Sequence, residues 1–168
     1  MKKITTSKTC LKCKNCCLFE KDESYLSPYF SSKERIGIDK KFFKKGAGSG
    51  WQAKLVPYSK DKELLRCSFL DEKTHRCRIY SKRPIECKLW PFVVSWDKER
   101  KNIILSLVDK SFCPATEISK VKKMEVARSI AQYFKKSDTL KEIDGGEIFI
   151  WPYEDFYHKV IVLKKINN

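Results

Sequence analysis

Apolar residues recur along the second half of the chain with two recognisable periods. Residues 117–136 place Ile118, Val121, Met124, Ala127, Ile130, Ala131 and Phe134 at helical spacing, which predicts an amphipathic helix. Phe92–Trp96 and Asn102–Val108 are short apolar runs flanking Asp97-Lys98-Glu99-Arg100, and they predict a hairpin. Further upstream, Leu65–Leu70 and Arg76–Tyr80 predict two short strands joined by the polar turn Asp71-Glu72-Lys73-Thr74. Arg83-Pro84 stops the second, because proline cannot donate to a ladder. The apolar runs at 148–151 and 160–163 are too short to assign.

Residues 21–65 mix helix and loop signals. Ser31-Ser32-Lys33-Glu34 has the form of a helix N-cap, followed by Ile36, Phe42 and Phe43 as apolar anchors. The glycine-rich stretch Gly46-Ala47-Gly48-Ser49-Gly50 then breaks the pattern. With 168 residues and no true linker, the chain reads as a single domain of the α+β class over residues 1–168. Within it, 10–113 form a cysteine-rich irregular and β half organised by metal, and 114–168 form a helical or mixed extension.

Composition narrows the classes. An apolar content of 42% argues against disorder throughout. The basic start, Met1 to Lys8, leads into no apolar signal region. The longest apolar stretches, near 89–96 and 103–108, fall far short of the ~20 residues of a membrane span. A reducing, cytoplasmic location is therefore expected, without membrane association. Net charge is +15, carried by 29 lysines against 7 arginines. Such a surface attracts polyanions at low salt, yet arginine is the usual reader of nucleic acid and a solvated lysine surface explains the charge as well.

Eight cysteines carry the candidate chemistry. Cys10, Cys13, Cys16 and Cys17 fall within eight positions, and Cys67, Cys77, Cys87 and Cys113 follow singly. In a reducing compartment this usage points to metal rather than disulfides. Two residues between thiols let a tight turn bring both to one ion, and Cys10, Cys13 and Cys16 also match the first three ligands of a bacterial ferredoxin run. The implied cofactor is an iron–sulfur cluster of the [4Fe–4S] kind, Zn2+, or one of each. In an extended segment Cys16 and Cys17 would point to opposite faces, so they serve different centres or one ligates while the other packs. Eight thiols suit two four-ligand sites, for example one around Cys10, Cys13 and Cys16 and another gathering Cys17 with downstream thiols.

The full pattern resembles the CxxxCxxCC cysteine-cluster family, a zinc- or iron-chelating domain. The matching text is Cys10-x2-Cys13-x2-Cys16-Cys17, Cys67-Ser68-Phe69-Leu70, Cys77-Arg78-Ile79-Tyr80, Arg83-Pro84-x2-Cys87, Trp90-Pro91-Phe92 and Cys113. The first spacing is two residues here, where that family name implies three. The resemblance implies metal binding at all eight cysteines and leaves the reaction open. Flagellin lysine methylases are similar in carrying the same cysteine motif, which raises an S-adenosylmethionine-dependent protein lysine methyltransferase as an alternative. A zinc-stabilised nucleic-acid-binding module is a second alternative, and an unidentified protein or redox partner is implied by the first reading.

Several residues have competing explanations. The Gly46–Gly50 loop is the one local candidate for a methionine-cofactor contact, but glycine's conformational freedom explains it as a connection. Arg83 could offset thiolate charge, or stack on Tyr80 or Trp90 as a turn residue, or both. His75 could complete a Cys3His site but reads as a turn residue, and His158 as surface or core filler. Lys40, Lys41, Lys44 and Lys45 interleave with Phe42 and Phe43, as in single-strand binders, although at least one phenylalanine should face the core. No serine or cysteine nucleophile motif lies beside either histidine, so hydrolysis finds no support.

Overall fold

The computed structural model describes residues 15–22, 24–46, 49–137, 139–144 and 150–166. Among the described residues, three small antiparallel sheets and three short-to-medium helices make an α+β fold. The strands are β1 (Leu18–Glu20), β2 (Tyr29–Phe30), β3 (Phe43–Lys45), β4 (Trp51–Ala53), β5 (Leu55–Tyr58), β6 (Asp61–Cys67), β7 (Phe92–Trp96), β8 (Asn102–Val108) and β9 (Tyr157–Lys165). The helices are α1 (Ile85–Leu89), α2 (Lys120–Lys136) and α3 (Thr139–Asp144).

The larger core belongs to the second half. β7 and β8 form the predicted hairpin, and β9 pairs along the other side of β8. Alternation in the central strand sends Ile103, Leu105 and Leu107 to one face, where they meet Val126, Ala127, Ile130 and Phe134 of α2. The opposite face is covered too: Val93, Val108 and Trp151 pack there with Cys113, and buried Ser95 and Ser106 lie 3.1 Å apart hydroxyl to hydroxyl. A strand buried on both faces reads as a near-continuous apolar run, which is the form of Ile103–Val108, broken only by Ser106. Ser119 starts α2, its hydroxyl accepting from Lys122 N–H at 3.3 Å. The helix begins three residues later than predicted, and Val121, expected on its apolar stripe, is 80% exposed.

The first half is built differently from its prediction. Residues 21–65 hold no α-helix among those described; they form short strands in two three-stranded sheets, ordered β1-β6-β5 and β2-β4-β3. Four phenylalanines, Phe19, Phe30, Phe43 and Phe69, fill the space between, with Phe30 and Phe43 edge to face at 5.0 Å. Apart from the seven-residue β6, these strands have two to four residues and leave too little alternation to read. Ser31 and Glu34 do make the reciprocal capping bonds expected of them, Ser31 N–H to Glu34 Oε2 at 3.0 Å and Glu34 N–H to Ser31 Oγ at 3.3 Å. They close a turn rather than open a helix, and Ile36, expected as an anchor, is 75% exposed.

Gly46, after β3, and Gly50, before β4, both lie against the Tyr29 ring. Gly50 N–H donates to the Tyr29 hydroxyl at 2.8 Å, and a Cβ at Gly50 would overlap that ring. A Cβ at Gly46 would come within 2.7 Å of it. Close approach of backbone to an aromatic ring accounts for both glycines.

Candidate metal centre

Backbone pairing alone brings several thiols to one end of a sheet. β1 runs antiparallel to β6 with Leu18 opposite Arg66, so Cys17 and Cys67, one step beyond each, fall at the same end. Cys16 and Cys17 occupy a 3-10 turn, Asn15–Cys17, instead of the extended segment expected. After Cys67 the chain turns, with Leu70 N–H bonded to Cys67 O at 2.9 Å, and returns so that Cys77 bridges Leu70. The predicted polar turn makes that return, its Asp71 carboxylate accepting from Lys73 and Thr74 N–H at 3.1 and 2.8 Å. Two extended strands were expected here, yet between Cys67 and Tyr80 the described pairing is the single Leu70–Cys77 bridge, and Tyr80 sits in another 3-10 turn, Tyr80–Lys82. Pro84 then leads directly into α1, which carries Cys87.

The thiols of Cys16, Cys67, Cys77 and Cys87 share one electrostatic environment. Cys87 is pushed well up by burial first, then by the neighbouring charges of Glu86, Cys67, Cys16 and Cys77. Burial also raises Cys67 to about 11, with Cys77 and Cys16 adding to it. Cys77 is raised by burial and by Cys16. Cys16 is raised chiefly by its hydrogen bond with Cys17; it is exposed by surface area, so that contact is a firmer cause than desolvation. Opposing these, the backbone amides of Phe69 and Ile79, two residues on in each case, pull Cys67 and Cys77 back toward the thiolate. Amides aimed at sulfur favour the thiolate, the form that binds metal.

A thiol set of this kind suits a soft cation. Four sulfurs that each oppose ionisation of the others lose that repulsion once a divalent ion lies among them. Among the described residues no three cysteine, histidine, aspartate or glutamate side chains yet close on one point, so binding would draw the sulfurs inward. All six described cysteines are free thiols.

Two glutamates invisible as functional residues in the sequence hold α1 in place. Pro84 gives the helix no side-chain cap; instead Glu34 Oε1 accepts from Ile85 N–H at 2.5 Å. Glu86 accepts from Tyr29 N–H through Oε2 and from the Trp151 indole through Oε1, both at 2.6 Å. Burial raises both carboxyls, Glu86 to about 7, while these donors pull them back. Part of the Glu86 residue reaches the surface, but both its oxygens are engaged. The only sequence signal was an acidic residue in a helix's first turn.

The other expected sites lie elsewhere. Cys17 packs against the phenylalanine cluster that also holds Cys67 and Cys77, while the Cys16 thiol adds to the charge felt by Cys67, Cys77 and Cys87. Cys113 is buried in a separate cluster with Val93, Val108 and Trp151. Cys10 and Cys13 lie outside the described residues. His75 takes a left-handed backbone, φ 53°, in the turn before Cys77, and His158 lies 3.2 Å from Asp109. Phe42 and Phe43 both pack on Phe69, at 5.2 and 5.7 Å, which removes them as stacking platforms for bases. Gly46 and Gly50 lie against Tyr29 between the paired strands β3 and β4, so close packing on a ring accounts for them.

A small α+β fold with free thiols gathered at the junction of a sheet, a hairpin and a helix defines a cysteine-rich metal-chelating domain. The chain belongs to the CxxCxxCC family, described as "Putative zinc- or iron-chelating domain", whose pattern matches residues 9–126. All eight cysteines fall inside that span. The family pattern has two residues between its first cysteines, as Cys10 and Cys13 do, so the three-residue spacing expected from the name is corrected. No solved structure matches the chain. No described helix is long and apolar enough to cross a membrane.

Proposed function

We propose that this protein carries a four-thiolate metal centre on Cys16, Cys67, Cys77 and Cys87, filled by Zn2+ or by an iron–sulfur cluster. What supports the reading is the family match over residues 9–126, the β1–β6 register that brings Cys17 and Cys67 to one sheet end, and the mutual effect of these four thiols on one another's ionisation. When bound, a zinc ion supplies structural cross-linking, because four thiolates leave no open position for Lewis-acid chemistry. A cluster on the same ligands supplies electron transfer and calls for a redox partner protein. The chain's own contribution is the same in both cases. Phe69 and Ile79 amides stabilise the thiolates, while Glu34 and Glu86 fix the helix that presents Cys87. Cys10, Cys13, Cys17 and Cys113 equal in number a second four-ligand set. Unpaired thiols in this number belong in a reducing compartment such as the cytoplasm.

Protein isolated without oxygen tests the reading. Brown protein absorbing near ~400 nm with iron and sulfide identifies the cluster; colourless protein with stoichiometric zinc identifies the structural ion. Protein that holds neither metal as isolated, and takes up neither on reconstitution, would overturn it.

A further inference from the structure

Two arginines lie over aromatic rings. The Arg35 guanidinium is 4.0 Å from the centroid of the Trp51 ring, and Lys45, the cross-strand partner of Trp51, brings its Nζ to 5.1 Å from the same ring. The Arg83 guanidinium is 3.8 Å from the centroid of the Tyr80 ring, and its Nε donates to Tyr80 O at 3.1 Å. These two pairs are neighbours. The Lys82 ammonium lies 3.5 Å from where a Cβ on Gly37 would stand, so the turn before Arg83 reaches the turn after Arg35. A ring holds a guanidinium in place without neutralising it. Among the described residues none of Arg35, Lys45, Lys82 and Arg83 makes an ion pair. The acidic residues nearest Arg35 in sequence are already engaged, Glu34 by the Ser31 and Ile85 amides and Asp39 by Lys41. Arg66 and Arg78, by contrast, face Glu72 and Asp71.

We propose that this surface binds single-stranded nucleic acid. Phosphates meet Arg35, Lys45, Lys82 and Arg83, while unpaired bases lie against the guanidinium planes and the Tyr80 ring, which is 43% exposed. A duplex hides its base faces, and an acidic peptide uses the charges but not the ring. The surface shares no residue with the four-thiolate set.

A net charge of +15 attracts any polyanion, so the test separates this surface from the overall charge. Full-length protein, isolated without oxygen, is titrated into labelled oligo(U) or oligo(dT) of about 20 nucleotides, longer than the usual single-strand site. Fluorescence anisotropy is read across a salt series. Each phosphate contact to a single strand adds about 0.7 to the slope of log K against log salt. R35Q/K45Q/R83Q removes three contacts, so the slope should flatten by about 2 and affinity near ~0.1 M salt should fall about 100-fold. R35Q/K45Q alone should flatten it by about 1.4. K120Q/K135Q/K136Q removes the same charge from exposed positions of α2 and should change affinity by no more than about 3-fold, because distant charges are screened. Circular dichroism of all the variants should match the natural protein. A preference for oligo(U) or for oligo(dT) supports the proposal either way and identifies the sugar. Equal losses in the two triple variants would mark general charge attraction and overturn it. So would the absence of binding by the natural protein, or a duplex of the same length bound as tightly as the single strand. Displacement by poly-glutamate as effective as by unlabelled oligo(U) would assign the surface to acidic protein instead.

Discussion

The residues that matter most here are those whose surroundings could not be read from their neighbours in sequence. Glu34 looked like half of a capping box and is one, but its free oxygen caps a helix fifty residues away. Replacing Glu34 with alanine leaves the Ser31 and Ile85 amides without their acceptor, a loss of about 1–3 kcal/mol. Urea denaturation of the metal-free protein measures it, and an unchanged midpoint would dismiss the cap. Glu72 offers a pH test beside the thiols. Hydrogen bonds from Ser59 and then Arg66 hold its carboxyl at about 2, below the ordinary 4.5. A depressed carboxyl contributes stability that is present above pH 4.5 and is lost as pH falls toward 2. Glu72→Gln should therefore lower the urea midpoint at neutral pH and flatten its fall between pH 4.5 and 2. Parallel pH profiles for the two proteins would contradict this account.

At the level of elements, legibility followed length and periodicity. The β7–β8 hairpin and most of α2 were plain because their apolar runs exceed a turn or several strand residues. β9 was hidden although it spans nine residues. Its polar positions His158, Lys159, Lys164 and Lys165 flank a run of only four apolar residues, and two register shifts against β8 break the alternation. Lysines on such an edge strand also discourage pairing with another chain. The two small sheets of the first half escaped notice because aromatic contacts, not strand length, hold them. Likewise the arrival of Cys17 and Cys67 at one end of a sheet depends on the Leu18–Arg66 register, which spacing cannot reveal. The helix–sheet core makes its own prediction: Phe134→Ala, at a 1% exposed position, should cost about 3–5 kcal/mol. Thermal melting reports it, and a shift comparable to a surface substitution would refute the packing described.

On the scale of the whole molecule, the two halves rest on unlike supports. The α2–β7–β8–β9 core buries large aliphatic and aromatic side chains with no thiol among them, whereas Cys67 is itself part of the phenylalanine cluster. Metal removal should therefore loosen the cysteine-rich half and spare the helix–sheet half. Amide hydrogen exchange resolves the difference: after chelation, protection should fall in β1, β5 and β6 and persist in α2 and β8. Uniform loss across both halves would argue against this division.

The central claim is that Cys16, Cys67, Cys77 and Cys87 together hold one metal centre. X-ray absorption at the zinc or iron edge of anoxically prepared protein tests it most directly, compared with Cys87→Ser. The account predicts an all-sulfur shell, at about 2.3 Å for zinc, with one sulfur lost or the metal released in the variant. A shell dominated by nitrogen and oxygen, or a sulfur count unaltered by Cys87→Ser, would contradict it.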